Sequence, residues 1–151
     1  MRPILLGLLL LMATLPASAA PANCFVPEVH GTTRVQVYIG DRRCVDLREP
    51  ETIGGIWINR FEGSVFHEDV DAVSTALAVR STVWLSMDDQ TVKPRDFVPA
   101  QGHAYQLTLV ARKAKDMRRP LLEGYGHFGA FAGLVLVDEV VAWKDLGKVG
   151  F

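Results

Sequence analysis

Cysteine is almost missing from this chain: its 151 residues include only Cys24 and Cys44. A redox pair would need closely spaced thiols or a helix N-terminus to depress one of them, and neither is visible here. Long apolar runs are also missing. The one candidate, Ile4 to Leu15, is well short of the ~20 residues that span a bilayer. Positive charge is not in surplus either, with 16 Lys plus Arg against 17 Asp plus Glu. That balance argues against a nucleic-acid partner, which calls for an electropositive face. There is no P-loop, dinucleotide fingerprint or nucleophile elbow, and Ser64 has no recognisable base beside it, so the sequence lends no support to catalysis. No repeat, low-complexity tract or long linker divides the chain, which is of a size for one core.

What is present starts at the N-terminus. Met1-Arg2, the apolar run to Leu15, and then Pro16 and the small residues Ala17 to Ala20 have the order of a secretory signal peptide. The expected organisation is a signal peptide over residues 1–19 and a single β-barrel domain over 20–151. The mature part would have no transmembrane span and would be periplasmic or secreted. Taking Arg2 from the 16 basic residues leaves 15 against 17 acidic ones, a net charge of −2. Both cysteines fall in that mature part, where an oxidising compartment permits a Cys24–Cys44 disulfide. Such a bridge would contribute roughly 3 kcal/mol in the chain-entropy model. Pro21-Ala22-Asn23 before Cys24 lacks the features of a lipid-attachment box.

Along the mature chain, Thr33 to Ile39 alternates apolar and polar residues and ends at Gly40-Asp41, a strand and a turn. Val45 to Pro50 is too short and Pro-terminated to be more than a helical turn or loop. Ile56 to Phe61 has the aromatic and β-branched content of a strand. Glu62-Gly63-Ser64 reads as a bend or bulge within it before Val65-Phe66-His67 resumes. Asp71 to Val79 is ambiguous, its alanines allowing a short helix, while Val79 to Met87 favours a strand. Tyr105 to Val110 has a two-residue period and Leu134 to Val141 is Val- and Leu-rich, giving two more strands. Between them run the basic excursion Arg112 to Arg119 and a glycine-aromatic loop, Gly124 to Gly129, whose glycines would weaken any helix by roughly 0.8–1 kcal/mol each. The fold class expected is mainly β with little helix: a small, five- to six-stranded OB-like barrel, with the Gly63 bend as its corner.

Gly55-Ile56-Trp57, Phe61-Glu62-Gly63-Ser64-Val65-Phe66, Ala111-Arg112, and Gly124-Tyr125-Gly126-His127-Phe128-Gly129 before Leu136-Val137-Asp138 together carry a resemblance. In those segments the chain resembles a group of small bacterial exported proteins with an OB-like β-barrel. That group has no established activity, so the resemblance implies a fold and no function.

Candidate site residues come from four places. Gly126-His127-Phe128-Gly129 lets a backbone approach a ligand closely, and His127 can act as acid or base near neutral pH. The same glycines also serve positive φ angles in a purely structural loop. Arg112, Lys113, Lys115, Arg118 and Arg119 form the basic cluster, either a solvated turn or a contact for an acidic partner, a phosphate-bearing glycan or lipid headgroups. Trp57, Tyr38 and Trp84 offer stacking surfaces or core. His67, Asp69 and Asp71 would share a face if the strand ran through them, and His103 could converge with His127; neither set completes a metal site. The binding residues expected are therefore His127, Tyr125, Arg112, Arg118, Arg119 and Trp57, with no catalytic residue, metal or cofactor. The expected function is a non-catalytic exported binding or scaffold module for an unknown protein or glycan partner. Two other classes stand beside it: a hydrolase-type enzyme pairing His127 with Glu62 or Asp138, and an inhibitor or immunity-type protein.

Overall fold

The computed structural model describes residues 25–38 and 42–150; the leader, Cys24 and the Gly40-Asp41 turn lie outside the described residues. It is mainly β. Strands β1 (Phe25–His30) and β2 (Thr33–Tyr38) form an antiparallel hairpin. Five further strands follow: β3 (Glu51–Arg60), β4 (Gly63–Glu68), β5 (Val83–Ser86), β6 (His103–Lys113) and β7 (Gly133–Lys148). They close into a barrel in the order β3-β4-β5-β7-β6, with β6 returning to β3. Every neighbouring pair is antiparallel except β5 and β7. Five strands in that order form the Greek-key barrel of the OB type. The one α-helix among the described residues, α1 (Val73–Ala78), connects β4 to β5.

The alternation read from Tyr105 to Val110 is the inside–outside alternation of β6. Tyr105, Leu107, Leu109 and Ala111 point inward and meet Ile53, Trp57, Phe66, Leu85, Val135 and Val137 in one core. Ile56, Ile58 and Ala104 point outward instead and are covered by Ala76 of α1 and by Val149. A third cluster lies outside β7: Leu134 packs with Val45, Ala114 and Tyr125, flanked by Trp84 and Met117. Here the β6–β7 connection and the segment after the Arg42–Cys44 turn are laid over the outer wall of the barrel.

The structure corrects the expected corner. Phe61-Glu62 is the tight connection of a hairpin, with Arg60 paired to Gly63 and Glu62 at φ 54, and no single strand bends there. Curvature is supplied by β7. Its register against β6 slips three times, leaving Asp138, Val141 and Leu146 as extra residues. Each extra residue bends the strand and strengthens its twist, which lets one 16-residue strand pair with β5 at one end and run along the whole of β6.

His67 is buried on the outer side of β4, 6 % exposed, above a cavity under α1 that Arg60 and Arg80 also line. Burial, and secondarily the Arg60 charge, push its imidazole below its ordinary value. The folded chain therefore resists protonation that the unfolded chain accepts near pH 6.5. Stability is full above that pH and falls as pH drops through it toward the depressed folded value. Thermal melts between pH 7.5 and 5 should show this decline, and His67→Gln should remove it; a slope unchanged in the variant would refute the assignment.

Candidate functional site

The seam between β4 and β5 is held by a single residue pair, Val65 with Trp84. Beyond it the strands diverge, and side chains bridge the gap. Ser64 Oγ donates to the Leu85 carbonyl at 2.6 Å and accepts the Trp57 indole N–H at 2.9 Å. An indole that is apolar on its body and polar at one edge suits a position inside a barrel wall. The Ser64 proton is thereby committed to a carbonyl, so this hydroxyl is not set up as a nucleophile.

Over the same end of the barrel folds the segment between β5 and β6. Its Phe97 is 6 % exposed and meets Trp57 at 6.4 Å, Tyr105 at 6.3 Å and Trp143 at 5.5 Å between ring centroids. Tilted and edge-on pairs like these contribute roughly 0.5–1.5 kcal/mol each beyond area burial. The segment is pinned by the Ala100 N–H on Tyr105 Oη at 2.7 Å and by Asn59 Nδ2 on the Ala100 carbonyl at 3.0 Å. Burial raises the Tyr105 phenol above its ordinary value, so it stays protonated at any physiological pH.

Between this plug and the open seam lies a cavity of about 490 Å³. Trp57, Trp84, Phe97 and Met87 supply apolar wall, and Ser64, Ser86 and Asn59 supply polar atoms. Lys93 is the one charged lining residue. An apolar concavity of a few hundred Å³ with a few polar groups has the dimensions of a small-ligand site. Of the expected binding residues, only Trp57 is here. Phe97, Lys93 and Ser86 were missed, and the one signal for them was a lone aromatic between Pro94 and Pro99.

The other expected residues lie elsewhere. Tyr125 is buried at 1 %, its hydroxyl donating to the Asp116 carbonyl at 3.0 Å and its ring lying 4.7 Å from the Arg119 guanidinium carbon. It is a packing residue of the outer cluster, and burial raises its phenol. Arg118 is exposed, with its backbone N–H capped by Asp116. Leu121 and Leu122 follow at an exposed turn, Leu122 at φ 70. Arg112 is engaged at 2.8 Å by Asp138, the first extra residue of β7, whose other oxygen takes Arg42 at 2.8 Å. Arg42 also grips Asp88 with two nitrogens, at 2.8 and 3.0 Å. Its guanidinium pulls the Asp88 carboxyl below the usual carboxylate range. This four-residue network ties the segment before β3 to the barrel.

His127 sits in a short 3-10 turn, His127–Gly129, against which β2 packs. Its Nε2 is 3.4 Å from Glu62 Oε1, close enough for an ion pair when protonated, yet makes no hydrogen bond. Glu62, and not Asp138, is thus its carboxylate neighbour. Gly126 before it lies on the Trp84 ring, and Phe131 meets the same ring edge-on at 4.9 Å. The structure brings His127 and Glu62 together. His103 is elsewhere, stacked on Tyr105 and bonded to Asp145 at 2.9 Å. The strand stops at Glu68, so His67, Asp69 and Asp71 do not share a face. Among the described residues no three His, Cys, Asp or Glu side chains gather to hold a metal ion. Tyr38 is a strand residue whose side chain lies outside the described set.

Fold and cavity together define a closed OB-type barrel with a small apolar mouth at one end. No family model, no curated protein and no solved structure matches the chain.

Proposed function

We propose that this protein is a non-catalytic, exported binding module that takes a small ligand, or a small exposed group of a partner, in the mouth between β4, β5 and Phe97. The observation that carries the reading is the cavity of about 490 Å³ walled by Trp57, Trp84, Phe97 and Met87. A second observation favours it over a ligand laid across the outer wall. In OB-type barrels the face of the second and third strands, flanked by the loops after the first and fourth, receives oligonucleotides and oligosaccharides. In this chain Trp84 of the third barrel strand is covered by Gly126 and Phe131 of the β6–β7 connection. The mouth is the concavity left beside it.

The test is two-dimensional NMR with two neutral probes, N-acetyl-phenylalaninamide and methyl glucoside. Saturable shifts of the Trp57 and Trp84 indole N–H signals by either one support the mouth as the site. Shifts confined to Arg118 and Arg119, or none at millimolar probe, would refute it. The enzyme reading rests on His127 and Glu62; under the binding reading, His127→Ala binds both probes as the native protein does.

Export belongs to the same proposal, as do a signal peptide ending at Ala19 and a Cys24–Cys44 bridge. They are supported by the order of residues in the leader and by a single cysteine pair in the remainder. Protein recovered from a periplasmic fraction should have an intact mass starting near Ala20 and two hydrogens lighter than the dithiol. A retained leader, a lipid adduct or two titratable thiols would sink this part.

A further inference from the structure

We infer that the ligand of the barrel mouth is an apolar carboxylate: an aromatic or aliphatic group carrying one carboxylate, as a free acid or as the last residue of a peptide. The inference rests on the binding-module reading and specifies its chemistry. Three features of the mouth point the same way. Its depth is apolar, with Trp57 and Phe97 each 6 % exposed and Met87 beside them. A thioether adapts its shape to what it meets, and an apolar depth of this kind accepts a hydrophobic group.

Its polar groups are unequally committed. Asn59 Nδ2 and the Ser64 hydroxyl are already bonded to carbonyl oxygens. Ser86 and Lys93 have no protein partner among the described residues. Of these two unpartnered side chains one is a hydroxyl, which can donate, and the other an ammonium, which only donates; the Lys93 ammonium is the one charged group among the lining residues.

The charge of the mouth is also one-sided. Lys93 faces no carboxylate among the lining residues, whereas the cavity outside β3, β6 and β7 balances Lys144 with Asp69 and Asp71. An acceptor-only anion satisfies the hydroxyl and the ammonium together, and a charge-assisted bond to a carboxylate is about twice as strong as a neutral one. An apolar body with a single carboxylate therefore matches the depth and the rim at once.

The test compares N-acetyl-phenylalanine with its amide by calorimetry or Trp fluorescence, on the native protein and on Lys93→Gln. The acid should bind about tenfold more tightly than the amide, a difference of about 1.4 kcal/mol. The preference should shrink as salt is raised and collapse toward unity in Lys93→Gln, an exposed position whose replacement leaves the melting temperature unchanged. Equal binding of acid and amide by the native protein, or a preference kept by Lys93→Gln, overturns the carboxylate inference while leaving the module reading in place. If neither probe binds, both fall. Two further arms separate the sources: 3-phenylpropionate tests a free acid, and a hexapeptide ending in Phe, with a free or amidated terminus, tests a chain end. Binding in either arm supports the shared chemistry.

Discussion

Gly126→Ala should unfold a large fraction of this protein's stability, about 3–5 kcal/mol. Two independent costs combine there. Gly126 has φ 67 and ψ −158, a region that is essentially closed to residues with a Cβ and costs of order 1–3 kcal/mol to hold. A methyl group at that position would also run into the Trp84 six-membered ring and crowd Phe131, and overpacking of this kind costs typically 1–3 kcal/mol. Gly102→Ala supplies the comparison. Gly102 has φ 83 but nothing within 4 Å of a would-be Cβ, so it should lose only the backbone part, about 1 kcal/mol. Urea midpoints with unchanged slopes would measure both. Equal losses at the two positions would mean that the loop does not rest on Trp84.

Arg42→Met should cost about 2–4 kcal/mol, by a different route. Arg42 is joined to two carboxylates, and its side chain is only 20 % exposed, with Asp88 at 14 % and Asp138 at 22 %. Breaking a buried pair from one side costs roughly 3–5 kcal/mol because a charge is left without a partner; residual solvent lowers the figure here. A pH signature accompanies it. The Asp88 carboxyl is depressed first by its hydrogen bond to Arg42 and is held down also by Gln90 and Thr91. Its contribution is therefore complete above the ordinary carboxylate range and lost as pH falls through the depressed folded value. In Arg42→Met the acid loss of stability below about pH 4 should flatten. Removing both partners, Arg42→Met with Asp88→Leu, should recover part of the loss, since the carboxylate that the single variant leaves without its guanidinium goes with it. A double variant no better than the single would count against this account.

Both predictions mark where the sequence was legible and where it was not. The glycine loop could be read locally, because a glycine at φ 67 or 63, as at Gly126 and Gly129, needs no distant partner to be recognised. The inward alternation of β6 and the Val- and Leu-rich β7 were equally local. What escaped was whatever depends on residues far apart in the chain. Arg42 lies 46 residues from Asp88 and 96 from Asp138, and nothing in their neighbours links them. The parallel meeting of β5 and β7 decides the barrel's order, yet leaves no trace in either strand. Gly63 reads as a corner because a glycine inside an extended run weakens it; only the partner register shows that the chain reverses just before it. The mouth was invisible for the same reason: Phe97 and Lys93 stand in a Pro-punctuated loop, and only folding sets them against Trp57.

The hairpin β1–β2 has a further consequence. Among the described residues β1 pairs with no strand but β2, which makes it an edge strand, the kind of template along which chains stack into fibrils. Pro27 stands in the middle of that strand opposite Gln36. Having no N–H, it interrupts the row, and the next residue, Glu28, is exposed. A proline and a charge are the two devices that most cheaply spoil strand addition. The strand that carries the outer edge of the hairpin thus also carries the residues that oppose its extension by a neighbouring copy, a protection against aggregation centred on a single imino acid.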